Sequence, residues 1–150
     1  ETLQGFVHDE ASAFFGGLAG NAGLFSTARD VARVYQMLLN GGEIDGQRYL
    51  SKETCQLFTT ETSKISRRGL GFDKPDADDP KKGNCAPAAP AGVYGHTGFT
   101  GTCAWVDPVN ELVYVFLSNR IYPDVTNRKL NQLHIRERIQ GAIYDAMKKK

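Results

Sequence analysis

Tyr94-Gly95-His96-Thr97-Gly98-Phe99-Thr100-Gly101 sets three glycines and two threonines around one histidine. Two apolar stretches follow at once, Thr102 to Asp107 and Glu111 to Ser118. Glycine in a strand pattern marks a place where something approaches the backbone, either another segment or a ligand. Histidine is the side chain whose ordinary pKa lies nearest neutrality. The stretch reads as a strand on the edge of a binding or catalytic cleft, and the rest of the chain as what holds it.

Working outward, Tyr94 to Phe99, Thr102 to Asp107 and Glu111 to Ser118 read as three antiparallel strands. Asp107-Pro108-Val109-Asn110 has turn chemistry, with proline suited to the second position. Leu112, Tyr114 and Phe116 share one face of the last strand, and Val113, Val115 and Leu117 share the other. Both faces are apolar, which predicts helices on both sides of the sheet. One is Ser26 to Leu39, capped by Ser26, with Val31, Val34, Tyr35, Leu38 and Leu39 on one face. Asn40-Gly41-Gly42 ends it. The other is Asn127 to Lys149, with Leu130, Leu133, Ile139, Ile143 and Met147 as core contacts and Lys148-Lys149-Lys150 suited to the helix dipole.

Between these lie Ile44-Asp45-Gly46-Gln47 as a turn, a helix from a Ser51 cap to about Phe58, and Gly69 to Phe72 as a short strand. Asp73 to Gly92 holds four of the six prolines and predicts a long surface loop beside the His96 stretch. Glu1 to Gly23 has no clear period and reads as loop. Its glycines lack the GK[ST] ending of a phosphate loop, so tight turns and close packing are expected.

Length and composition bound the function classes. The 150 residues favour one domain or a piece of one, with 41% hydrophobic and 23% charged side chains as in globular proteins. A net charge of +1 gives no field for nucleic acid, and no apolar run is long enough for a membrane span. Cys55, Cys85 and Cys103 are odd in number and at least 18 residues apart, which predicts buried thiols and no metal site. The chain opens at Glu1-Thr2-Leu3-Gln4 without a methionine, as a processed product or a piece would.

Two stretches together carry a resemblance. Gly5-Phe6-Val7-His8-Asp9-Glu10, with Gly17-Leu18-Ala19-Gly20-Asn21-Ala22-Gly23-Leu24-Phe25-Ser26-Thr27-Ala28, is similar to a loop leading into a "GLFSTA" helix. Tyr94 to Gly101, with Trp105-Val106-Asp107-Pro108 and Val115 to Arg120, is similar to a KTG-type motif in its HTG form and the next two strands. The chain resembles the C-terminal portion of the serine β-lactamase and penicillin-binding-protein family, near class C β-lactamases, DD-peptidases and esterases. The likeness runs over nearly all 150 residues. It implies an α/β (α+β) fold, an antiparallel sheet flanked by helices, as residues 1–150 of a single domain's C-terminal part.

That resemblance implies acyl transfer through a serine from S-x-x-K, without metal or other cofactor. His96 and Thr97 would orient substrate, and Gly98 would allow close approach of backbone. The Phe99 N–H would be one donor of the oxyanion hole, and Tyr94, His8 and Asp9 would lie near the cleft. Read from the residues alone, His96 can also be an ordinary strand histidine, and His8-Asp9 either a dyad or a local loop pair. His134 reads as a surface or boundary residue.

No serine here has a lysine three residues on, and no Y-x-N exists; Tyr49-Leu50-Ser51 mimics Y-x-S, but Ser51 is explained as a cap. The chain alone is therefore expected to be catalytically silent, its partners being a small-molecule or peptide substrate and the N-terminal half of the domain. His96 in place of lysine withholds a fixed cation from an anionic substrate. Asn21 stands where relatives often carry histidine. Two other readings are a non-catalytic peptide- or glycopeptide-binding module and a structural half-domain. By analogy, a fused glycosidase domain and a periplasmic or extracellular cell-wall setting go with the family.

Overall fold

The computed structural model describes residues 4–60, 63–79 and 83–148. In chain order these form α1 (Glu10–Phe14), α2 (Ala28–Leu39), β1 (Glu43–Ile44), β2 (Gln47–Arg48), α3 (Lys52–Thr60), β3 (Tyr94–Thr97), β4 (Cys103–Asp107), β5 (Leu112–Phe116), α4 (Lys129–Gln132) and α5 (Ile135–Met147). The expected three strands form one antiparallel sheet in the order β3-β4-β5. Register pairs Gly95 with Trp105 and Trp105 with Tyr114, and likewise His96 with Ala104 and Ala104 with Val115.

Side chains alternate across a sheet, so this register fixes its two faces. Cys103, Trp105 and Tyr114 lie on one, where Cys85 and Val93 complete a buried cluster and Ile143 of α5 packs on it. Tyr94, His96, Ala104, Val106, Val113 and Val115 share the other, and α2 lies across β4 and β5. The two-sided cover inferred from the apolar strands is present. The Asp107 turn is closed by its own carboxylate, whose Oδ1 accepts the Val109 and Asn110 amides at 2.9 and 3.1 Å.

The final helix departs from the expectation. It is two helices, broken at His134, whose φ of 49° and ψ of 43° are left-handed. After the break, α5 turns Arg136, Gln140 and Tyr144 to the sheet, while Leu133, Ile139 and Met147 are exposed. Of the five apolar contacts expected, Ile143 joins the core and Leu130 is half-buried. Buried polar groups are tolerated when hydrogen-bonded: Arg136 Nη2 donates to Asn131 Oδ1 at 3.1 Å, while its buried Nε finds no partner among the described residues. Gln140 Oε1 accepts the Ala86 amide at 2.8 Å, the Tyr144 hydroxyl donates to Asp107 Oδ2 at 2.9 Å, and the Tyr114 hydroxyl donates to Arg136 O at 3.1 Å. Lys149 and Lys150 of the expected basic end lie outside the described residues.

Smaller corrections follow the same logic. The α2 cap is Thr27, one residue after Ser26, and its Oγ1 accepts the Asp30 amide at 3.2 Å. Ser51 caps α3 as expected, accepting the Thr54 amide at 3.1 Å. Gly69 to Phe72 is not a strand, because Gly69 N–H bonds Phe72 O within its own turn. Pairing begins one residue later, as an isolated bridge between Asp73 and Gly95. Asp73 to Gly92 is not all surface, since Asp73, Lys74, Cys85 and Ala86 are buried. Asp45 and Gly46 both have positive φ, as the turn of a two-residue hairpin needs. All three thiols are free and buried.

Residues 4–27 hold their shape by other means. Asp9 caps α1, which the sequence pattern did not reveal, and Ala19 bridges Ala22. A Cβ on Gly23 would stand 2.2 Å from Gly17 O, so the expected close packing is real there. The apolar side chains of this segment face outward: Phe6, Phe14, Phe15, Leu18, Leu24 and Phe25 are all exposed.

Candidate functional site

β3 is an edge strand, and its C-terminal end leads out of the sheet. Tyr94 is buried against Phe72, ring centroids 5.2 Å apart, and Phe72 meets Tyr35 of α2. Tyr94 therefore belongs to the core and not to a cleft surface, and burial pushes its hydroxyl pKa up. Gly95 has a packing reason, because a Cβ there would stand 2.1 Å from Ala104 O. His96 is exposed and Thr97 half-buried.

His96 is held at both ring nitrogens. Nδ1 lies 2.6 Å from Thr97 O, and Nε2 lies 2.7 Å from Arg68 Nη1. A carbonyl only accepts and a guanidinium only donates. The ring is thus the neutral tautomer that donates from Nδ1 and accepts at Nε2. Arg68 sets a fixed positive charge beside His96. Sequence reasoning missed Arg68, which lies 28 residues upstream on a loop with no periodic signal.

After Thr97 the backbone turns sharply. Gly98 N–H donates to Thr102 O at 2.8 Å and Gly101 N–H to Gly98 O at 2.9 Å. The Phe99 amide between them makes no hydrogen bond among the described residues. A Cβ on Gly98 would stand 2.2 Å from Thr102 Oγ1, so the turn itself requires this glycine. Gly101 has φ +97° and sits against Ser118 and Arg120.

The Phe99 ring anchors the turn from outside. His8 stacks on it at 5.3 Å with planes 11° apart, and the Arg120 guanidinium lies 4.6 Å from its centroid. An exposed cation–π contact of this kind is worth about 0.5–1 kcal/mol. The structure separates the His8-Asp9 pair. His8 meets the turn, while Asp9 Oδ1 accepts Ser12 N–H at 2.8 Å and Asn21 Nδ2 at 3.2 Å. The Ser12 amide holds the Asp9 carboxyl below its usual range. Ser12 Oγ donates to Asn21 Oδ1 at 3.1 Å, which gives Asn21 a role as a loop clasp. His134 is a helix-boundary residue, exposed and far from this group in sequence.

Chemically, this edge offers the unclaimed Phe99 amide and, on the His96 face, a neutral imidazole beside the Arg68 guanidinium, while Thr97, paired with Cys103, presents its hydroxyl to the other face. Among the described residues no group of three or more His, Cys, Asp or Glu could hold a metal ion. None of their helices is long and apolar enough to cross a membrane.

A family model described as "Beta-lactamase" matches residues 3–137. The chain is 37% identical over 131 residues to a "Putative D-alanyl-D-alanine carboxypeptidase" of Escherichia coli (strain K12), covering 87% of this chain and 30% of that protein. It is 38% identical over 137 residues to a protein of the same name from Salmonella typhi, with 87% and 30% covered. The chain thus spans about a third of the length of the curated relatives it matches. A crystal structure of a penicillin-binding protein homologue from Caulobacter crescentus aligns with TM-score 0.47 at 24% identity, over 59% of this chain and 24% of that one.

Proposed function

Since this chain belongs to the Beta-lactamase family, we propose that it forms one wall of a serine hydrolase's acyl-transfer pocket. The nucleophile is supplied from outside these 150 residues, because they contain no S-x-x-K or Y-x-N. The observation that carries the reading is the Phe99 amide, left outside the sheet ladder beside Gly98 and held in place through its ring. An oxyanion hole needs such a donor, fixed in advance and unpaired, and one is worth about 3 kcal/mol of barrier.

The rim beside it suggests the substrate class. Relatives named D-alanyl-D-alanine carboxypeptidase point to a peptide ending in a free carboxylate. Arg68 and His96 would receive that carboxylate, Arg68 as the charge and His96 as the neutral strut that fixes Arg68, with the Thr97 hydroxyl on the other face of the strand. A peptide of this kind would put the protein at the cell wall, in the periplasm or outside the cell. The exposed apolar side chains of residues 4–27 would then be covered by the rest of the domain, and the chain alone would be silent.

The test uses the chain joined to the S-x-x-K segment proposed to supply its nucleophile. Arg68→Gln should raise KM at least tenfold for a peptide with a free C-terminal carboxylate and leave an ester without one within twofold. Equal effects on both substrates would refute the assignment of Arg68 to the carboxylate.

A further inference from the structure

A second hollow, of about 480 Å³, has no residue of 94–101 in its lining. Alanine and proline side chains from residues 75–77 and 86–91 make its walls, and Ser63, Ser66, Arg67, Lys74 and Asp76 supply its polar groups. Lys74 is only 5% exposed. Its stem is covered, but its amine is not shut off from solvent: it opens into the hollow and makes no hydrogen bond or ion pair among the described residues.

The nearby carboxylates explain why. Asp73 is fully buried, and its two oxygens already accept four bonds. Oδ1 takes Arg67 Nε at 2.7 Å and the Lys74 amide at 3.0 Å, and Oδ2 takes Arg67 Nη2 at 2.9 Å and Asn84 Nδ2 at 2.8 Å. A carboxylate offers about four acceptor sites, so none is left for the Lys74 amine. Asp76 Oδ1 accepts the Asp78 and Asp79 amides at 3.1 and 2.9 Å, within its own loop. Burial alone pushes the Lys74 amine down, with no carboxylate opposing it. Ser63 and Ser66 accept the Ile65 and Arg68 amides, at 3.2 and 3.4 Å, so their hydroxyl protons remain free to donate.

We propose that this hollow binds a small organic carboxylate, the Lys74 amine pairing with its charge and the alanine–proline walls taking a short apolar body. A concave, mostly apolar site with few convergent polar groups is the usual form of a small-ligand pocket. With Arg67 committed to Asp73, the lining sets one cation and two hydroxyls against the Asp76 carboxylate, which suits a monoanion better than a phosphate. The inference does not rest on the function proposed above.

The chain carrying ¹³C-labelled lysine would be titrated by NMR with propionate, and with propionamide as the uncharged copy. A saturable shift of the Lys74 signal is expected, with propionate at least tenfold tighter and the Lys74 titration displaced to higher pH when bound. Lys74→Met should abolish binding. If that variant does not fold, the propionate and propionamide comparison decides on the unaltered chain. No saturable shift, equal affinity for propionamide, tighter binding of inorganic phosphate, or binding kept by a folded Lys74→Met protein would each overturn the proposal.

Discussion

β4 and residues 4–27 bury apolar side chains to opposite extents. All five residues of β4 are buried, whereas Phe14, Leu18 and Leu24 are 80% or more exposed. The strand is closed by its own neighbours: Cys85 and Val93 on one face, α2 on the other. The N-terminal segment is held by the Asp9–Ser12–Asn21 bonds and by glycine packing. Most of its large apolar side chains are exposed. One region is buried by its own neighbours, and the other leaves its apolar side chains exposed. The candidate site lies where residues 4–27 meet the turn before β4, at the His8–Phe99 stack.

The sharpest way to break this contrast is truncation. Trp105→Ala should cost about 3–5 kcal/mol, whereas Leu18→Ala should stay within about 0.5 kcal/mol. Urea denaturation of the two variants measures both. Similar losses would mean that residues 4–27 are packed in solution.

Changes at single contacts come next. Gln140→Ala strands the Ala86 amide and should cost about 1–3 kcal/mol. Gly95→Ala drives a methyl group onto Ala104 O and should cost a similar about 1–3 kcal/mol. Thermal melts of each variant would show whether α5 and β3 depend on these contacts as described.

Acid pH probes the Asp73 cluster. Burial pushes the Asp73 carboxyl up, but the Arg67 and Asn84 bonds outweigh it and hold the folded pKa below the ordinary value. A depressed folded pKa stabilises above the unfolded pKa, and that stability is lost as pH falls through the folded value. Stability should therefore fall on acidification below about pH 4, and Asp73→Asn should flatten that part of the profile. An unchanged profile in the variant would remove the cluster from the account.

The smallest effect concerns the thiols. Burial pushes Cys85 up to about 12 and Cys103 up to about 11. Thiolate is the reactive form, so neither should react with a disulfide reagent at pH 8 until the chain unfolds. Fast labelling of either would show that the core around Trp105 opens locally.

Much of this was legible in the sequence. The alternating apolar residues of β5 and the glycines around His96 announce a covered sheet with an open edge. The helix face 31–39 announces α2. The phase of α5 was not legible, because its sheet-facing residues Arg136 and Gln140 are polar and bond to backbone and side-chain groups that periodicity does not reveal. Arg68 was hidden for a related reason. Its partner His96 is remote in sequence, and loop residues meet by tertiary geometry alone. Tyr94 was misplaced because strand alternation tells which residues share a face, but not which end of that face is open.

The most direct test of the central claim uses a serine-directed fluorophosphonate probe on the chain joined to the S-x-x-K segment proposed to supply its nucleophile. The label is expected on the S-x-x-K serine and on none of residues 1–150. Phe99→Pro, which deletes the amide proton, should slow labelling about a hundredfold, while Phe99→Ala, which keeps it, should slow it far less. Label on a serine of these 150 residues, or a Phe99→Pro protein labelled as fast as the unaltered one, would contradict the claim that this edge is the wall of an acyl-transfer pocket.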